Sequence, residues 1–193
     1  FASTVGSTFG IIAAVKGGWV DTLISRFNDA LMSIPGILAG LVAIAALGSS
    51  IPVLILVTGL VKATSVFRLA RALGMDIRVM DYIEVARARG ESLWWVLRHE
   101  IFPNVAIPLI VDFGIRLSFA IRFIASLSFL GLGVQPPHAD WGSMVRENIV
   151  GLSGMSMAPI FPALTIAILT IGLNLIVDDY VARSGQEVTK RIT

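Results

Sequence analysis

Apolar runs that approach the thickness of a bilayer recur along this chain, and they constrain its fold more than any other feature. A spanning helix needs roughly 20 predominantly apolar residues. In lipid the backbone must satisfy its own hydrogen bonds, so such runs are expected to be helices. Hydrophobic residues make up 55% of the 193 and the mean hydropathy is +0.83, which excludes an average soluble domain. The expected fold class is all-α, a polytopic transmembrane helical bundle. There is no cysteine, so a disulfide framework, a thiol nucleophile and a thiolate metal site are all excluded. His99 and His138 are the two histidines, too few for a His-based metal cluster.

Phe1 to Val15 is apolar but too short for a complete span, and it reads as the tail of a truncated one. Lys16-Gly17-Gly18-Trp19 is expected to be a tight turn at the membrane interface, with Trp19 as an anchor. Asp21 to Leu47 is the next helical candidate, kinked at Pro35-Gly36, with Gly36 and Gly40 spaced for close helix packing. Gly48-Ser49-Ser50 is a hairpin tip, and a span follows from about Ile51 to Phe67. Val105 to Val134 is long and apolar yet contains Asp112, Arg116 and Arg122. Ionisable groups at membrane depth normally face a bundle interior, an aqueous pathway or an interface. Asp112 and Arg116, spaced i,i+4, form either a mutually neutralised pair or a solute-facing one. Arg122 has no evident partner on its own helix and either lines a pathway or pairs with another subunit. Gly131 to Pro137 ends that helix, and Ala139 to Gly142 is expected to start a short one. Pro162 to Val177 carries the last span.

The longest polar interval, Asp81 to Asn104, lies between these apolar segments. Asp81 followed by Glu84 is a capping-box pattern, which predicts a helix from Tyr82. Gly90 sits where a left-handed residue would end it. Ser92 can then cap a second helix with Leu93, Val96, Leu97 and Ile101 as its apolar stripe, and Pro103 limits its continuation. An amphipathic hairpin of this kind is either an ordinary solvated loop or a docking element. Lys16, the arginines from Arg68 through Arg98, and Arg183, Lys190 and Arg191 fall in one set of loops, whereas the alternate loops hold essentially Arg146. The first set is therefore expected to be cytoplasmic.

Glu84-Val85-Ala86, Gly90 six residues after the Glu and Pro103 thirteen after the Gly resemble the EAA signature of bacterial ABC-importer permease subunits. Val85 and Phe102 depart from the usual Ala and Leu, apolar for apolar. Ser128 to Pro137, followed by Asp140-Trp141-Gly142-Ser143-Met144, with Gly17 to Asp21 upstream, is similar to the dipeptide/oligopeptide/nickel permease family of these importers. The likeness covers essentially the whole chain. Many relatives carry an acidic residue near position 124, where this chain has Ile124.

The resemblance implies a type I ABC importer permease fold from which this chain lacks the first span, the external segment after it and part of the second. It implies a permease domain over 1–180, with a cytoplasmic coupling-helix loop at about 72–103 and an external loop at about 134–160, and a cytoplasmic tail over 181–193. It assigns ATPase docking to Tyr82, Glu84, Val85, Ala86, Arg87, Gly90, Leu93, Leu97 and Pro103, and leaves Asp112, Arg116 and Arg122 as pathway candidates. The implied partners are a second homologous permease, two cytoplasmic ABC ATPase subunits, an extracytoplasmic solute-binding protein and membrane lipid, with no nucleic acid. No Gly-rich phosphate loop occurs in this chain, so ATP and Mg are expected on the ATPase subunits and no cofactor or catalytic residue here. The implied location is the bacterial inner membrane, multi-pass, with loop and C-terminus inside. The implied cargo is a di- or oligopeptide or peptide-like solute, with nickel chelates, opines or glutathione as the alternative. An ATP-independent channel or a membrane assembly protein is the alternative of another class.

Overall fold

The computed structural model describes the backbone of residues 1–192. It describes the side chains of residues 1–182 except Arg78, Tyr82, Glu84, Arg87, Leu93 and Pro103. The described elements are all helical, as the apolar runs predict, and they group into two compact units that part after residues 36, 58 and 112, the last two points lying inside long helices.

The first unit comprises residues 1–36 and 59–112. In it α1 (Ala2–Lys16) lies against α4 (Ile51–Arg78) along a glycine seam. A Cβ on Gly6 would sit 2.5 Å from the Ala63 carbonyl oxygen, and one on Gly10 would sit 2.6 Å from that of Phe67. Only glycine permits backbones to approach this closely. The expected turn follows at Gly17 (φ 62°, ψ −161°) and Gly18 (φ 57°). From it α2 (Gly18–Met32) starts, earlier than the Asp21 expected from sequence.

The single kinked helix expected over Asp21 to Leu47 is instead two helices, α2 and α3 (Gly36–Leu47), separated at Ser33 to Pro35. Pro35 lacks an N–H, and it drives Ile34 away from helical geometry, so the chain breaks where only a bend was expected. α4 also outruns its expected end at Phe67, because Arg68, Leu69, Ala70, Arg71, Ala72 and Leu73 are strong helix formers that continue it.

The second unit comprises residues 37–58 and 113–193. Here α3 packs through Gly40, whose Cβ would lie 2.9 Å from the Phe123 ring of α7 (Phe102–Phe129). Ile44, Leu54, Val57 and Leu127 are buried in this unit. α7 stops where expected. The Leu132 N–H donates to the Leu127 carbonyl and the Gly131 N–H to that of Ser128, both at 2.9 Å, with Gly131 left-handed at φ 93°; this is the Schellman arrangement. α8 (Trp141–Asn148) begins at the expected place, its Asp140 carboxylate accepting from the Ser143 N–H at 3.0 Å. Gly142 is pressed against the Ala125 carbonyl oxygen of α7.

A 3₁₀ turn over Ile149–Gly154 leads to α9 (Ile160–Ile192), which stays helical past the expected end of the span at Val177, because the one glycine beyond it, Gly185, costs only about 1 kcal/mol in a helix interior. Among the described residues, Ile51–Ile77 of α4 and Ile160–Ala182 of α9 are long and apolar enough to cross a membrane. A third candidate arises if α2 and α3 count as one broken span. Ile168, Leu175 and Ile176 of α9 are mostly exposed, an apolar outer surface suited to lipid.

Candidate functional site

The polar interval folds as a short helix, a tight turn and a second helix that runs into α7. α5 (Asp81–Ala88) starts one residue before Tyr82. It ends at Gly90, whose φ of 83° is left-handed, and the Glu91 N–H donates to the Ala86 carbonyl at 3.2 Å. Six-to-one closure of this kind satisfies a carbonyl that the helix end would otherwise orphan. Ser92 then caps as expected, its hydroxyl accepting from the Trp95 N–H at 3.2 Å. α6 (Leu93–Val96) passes into a π turn over Leu97–Ile101 and then into α7 without leaving helical geometry. Pro103 therefore does not stop the helix. It sits in the first turn of α7, directly after the π turn, where the absence of its N–H is tolerated.

The π turn changes which side chains share a face. Val96 and Ile101 are both fully buried, yet five residues of α-helix would set them about 140° apart. The i to i+5 closure, seen in the Phe102 N–H donating to the Leu97 carbonyl, brings them back onto one side. With Ile83, Ala86 and Val105 they form a cluster against Ile11 and Val15 of α1 and Ala70 of α4. The loop is thus seated on the first unit by its own apolar residues.

The opposite side presents apolar groups outward. Val85 is 55% exposed, Trp94 70% and Phe102 57%. Trp95 turns back, half-buried, and stacks on His99 with centroids 4.8 Å apart.

Of the docking candidates, Val85 and Gly90 face outward, with open space around the Gly90 α-carbon. Ala86 is fully buried and Leu97 half-buried against the cluster, so these two hold the loop in place. The side chains of Tyr82, Glu84, Arg87, Leu93 and Pro103 lie outside the described residues. Trp94 is not among the sequence candidates, although a side chain two positions before the stripe residue Val96 lies about 160° away from it on a helix.

Asp112, Arg116 and Arg122 are each half-buried along α7, with Asp112 the last residue of the first unit and the arginines in the second. Six residues separate the arginines, which places them on different sides of the helix. Arg122 does have a partner on its own helix, contrary to expectation. Its guanidinium carbon lies 4.5 Å from the centroid of the Phe119 ring, one turn earlier. A search for opposite charge overlooks an aromatic face, which attracts a cation through its quadrupole.

One charged contact in the first unit has no counterpart among the sequence expectations. Arg71 of α4 forks onto Asp21 of α2, Nε to Oδ1 at 2.5 Å and Nη2 to Oδ2 at 2.6 Å, across 50 residues of sequence.

Residues 6–189 match the model of a family described as binding-protein-dependent transport system inner membrane component. The chain is 36% identical over 177 residues to a glutathione transport system permease protein, GsiD, of Pectobacterium atrosepticum, an alignment covering 90% of this chain and 58% of that protein. It is 33% identical to a dipeptide transport system permease protein, DppC, of Alkalihalophilus pseudofirmus, covering 90% and 57%. It is also 33% identical to a probable D,D-dipeptide transport system permease protein, DdpC, of Escherichia coli, covering 92% and 59%. The chain thus spans a little under three-fifths of the length of these curated relatives.

Proposed function

Because this chain belongs to the family of binding-protein-dependent transport system inner membrane components, we propose that it forms half of the membrane pathway of an ATP-driven importer and docks an ATPase subunit through residues 81–104. The observation that carries this reading is the division of the loop into two sides. Ile83, Ala86, Val96 and Ile101 are fully buried in the chain's own core, while Val85, Trp94 and Phe102 are turned outward. Exposed aromatic and aliphatic groups on a rigidly seated element are the composition of a protein interface centre.

The cargo proposed is a di- or oligopeptide or a peptide-like solute. The relatives' names specify glutathione and dipeptides, which share amide bonds and charged termini. Arg116 and Arg122 would offer cationic groups to a carboxylate along the pathway. A second homologous permease completes the pathway, two cytoplasmic ATPase subunits hold ATP and Mg, and an extracytoplasmic protein delivers the solute. The basic residues around the loop support a cytoplasmic position for it and for the C-terminus.

ATP binding closes the ATPase pair and moves the docked loops, which biases the spans between inward- and outward-facing arrangements. Such a shift requires the ATPases to contact the two arrangements differently, and the loop is where that difference enters. The test is reconstitution of the assembled complex in proteoliposomes with glutathione or a dipeptide outside. ATP-dependent accumulation that is lost in Glu84→Arg is expected. Accumulation that proceeds without nucleotide, or survives Glu84→Arg unchanged, would overturn the reading in favour of a channel.

A further inference from the structure

Asn28 is the one buried residue of α2 among those described. Trp19, Leu23 and Phe27 are all more than half exposed. Upstream, α2 joins α1 through Gly17 and Gly18, both at positive φ and, lacking Cβ atoms, a joint with few barriers to rotation. Of the apolar residues of α2, Val20 and Ile24 are half-buried and the rest exposed, so apolar packing alone does not fix the angle at this joint.

The Asp21–Arg71 fork does. Both oxygens of the carboxylate meet the guanidinium, at 2.5 and 2.6 Å, and the Ser25 hydroxyl donates to Oδ1 at 3.2 Å. Two parallel bonds between planar groups restrict rotation as well as separation, which a single contact does not. The Asp21 and Arg71 side chains are only 17% and 31% exposed, so the pair is partly shielded from competing water.

Its position matters as much as its geometry. Ala70, beside Arg71 in sequence, is fully buried in the cluster that seats the loop. A Cβ on Gly10 of α1 would lie 2.9 Å from the Arg71 backbone nitrogen. The loop, α1 and α4 therefore meet where the pair attaches α2. We infer that the Asp21–Arg71 pair is a pin that makes α2 move with α4 and the loop as one body. Displacement of the loop then reaches α2 and does not dissipate at the Gly17–Gly18 joint. Asp21 and Arg71 act here as positioning residues.

The transport consequence rests on the ATPase-docking reading above, but the pin itself is measurable without it. The 193 residues contain no cysteine, so Phe27→Cys on α2 and Met75→Cys on α4, both at exposed positions, can carry a spin-label pair. In the assembled complex the label distance should be narrowly distributed and should differ by less than about 2 Å between nucleotide-free and ATP-bound states, a limit set by the size of ordinary helix shifts. Adding Arg71→Gln should broaden the distribution, and the swap Asp21→Arg with Arg71→Asp should narrow it again. A distribution unchanged by Arg71→Gln, or a larger nucleotide-dependent shift in the otherwise unaltered pair, overturns the pin. In transport, Asp21→Asn and Arg71→Gln should leave ATP hydrolysis largely intact while solute imported per ATP falls roughly tenfold, a typical coupling magnitude. An unaltered complex that hydrolyses no ATP would count against the importer reading, and the label distances would still decide the pin.

Discussion

Replacing Gly90 with alanine isolates the conformational term at the end of α5. The φ of 83° lies in the left-handed region, which costs an L-residue roughly 1–2 kcal/mol. A Cβ built there meets nothing within 4 Å, so no steric clash with the surroundings adds to that figure. The whole cost falls on the closing turn, in which the Glu91 N–H donates to the Ala86 carbonyl and the Arg89 N–H to that of Val85. A penalty of 1–2 kcal/mol corresponds to a factor of about 5 to 30 in an equilibrium constant. Amide hydrogen exchange at Arg89 and Glu91 should therefore quicken by that factor in Gly90→Ala. Gly90→Asn should show a clearly smaller increase, because asparagine tolerates left-handed geometry. Equal effects of Ala and Asn, or exchange unchanged by Ala, would refute the assignment of the cost to backbone conformation.

Ile83→Ala should destabilise the first unit by about 2–5 kcal/mol, as expected for a fully buried aliphatic residue. Val85→Ala, at a 55% exposed position, should stay within about 0.5 kcal/mol. Protease nicking of the loop reads both, and equal susceptibility would mean the two faces are assigned wrongly. Asp140→Ala should cost about 0.5–2 kcal/mol through the lost cap on Ser143, seen as faster exchange of the Ser143 amide, whereas Asp140→Asn should retain most protection; parity between the two would contradict the capping role. Val85→Cys, in membranes holding the permease without its ATPases, should react with a membrane-impermeant thiol reagent from the cytoplasmic side alone, and labelling from outside would reverse the proposed orientation.

The features legible in the sequence were those governed by one or two residues. Gly17-Gly18, Gly90, Ser92, Gly131 and Asp140 each act through their own backbone freedom or side-chain acceptor, and the structure places a turn or cap at every one. The length of α4 was not legible, because the sequence reading ended the span where charges began, while helix formation itself tolerates Arg68 and Arg71. Pro35 marks a kink or a break in sequence, and which of the two depends on whether neighbouring packing holds the two halves in line. The Asp21–Arg71 pair joins residues 50 positions apart, and no local pattern identifies which arginine of the Arg68 to Arg98 stretch Asp21 would meet. The loop's two faces were only partly legible. The stripe Leu93, Val96, Leu97 and Ile101 includes both buried residues, but α-helical spacing aligns only Leu97 with Ile101 and gives no sign of the π turn that brings Val96 into alignment with Ile101.

That alignment has a consequence for phase. The buried positions Val96, Ile101 and Val105 and the partly buried Leu109 advance by five, four and four, so the π turn absorbs one extra residue between two stretches of ordinary helix. Deleting a single residue between Leu97 and Ile101 would let an ordinary α-turn replace the π turn, with Val96 and Ile101 four apart and still on one side. Re-closing all five residues as α-helix would instead swing Val105 and Leu109 by about 100° off the loop's buried side. The wider hydrogen-bond closure across these five residues keeps the loop and the helix it feeds in step.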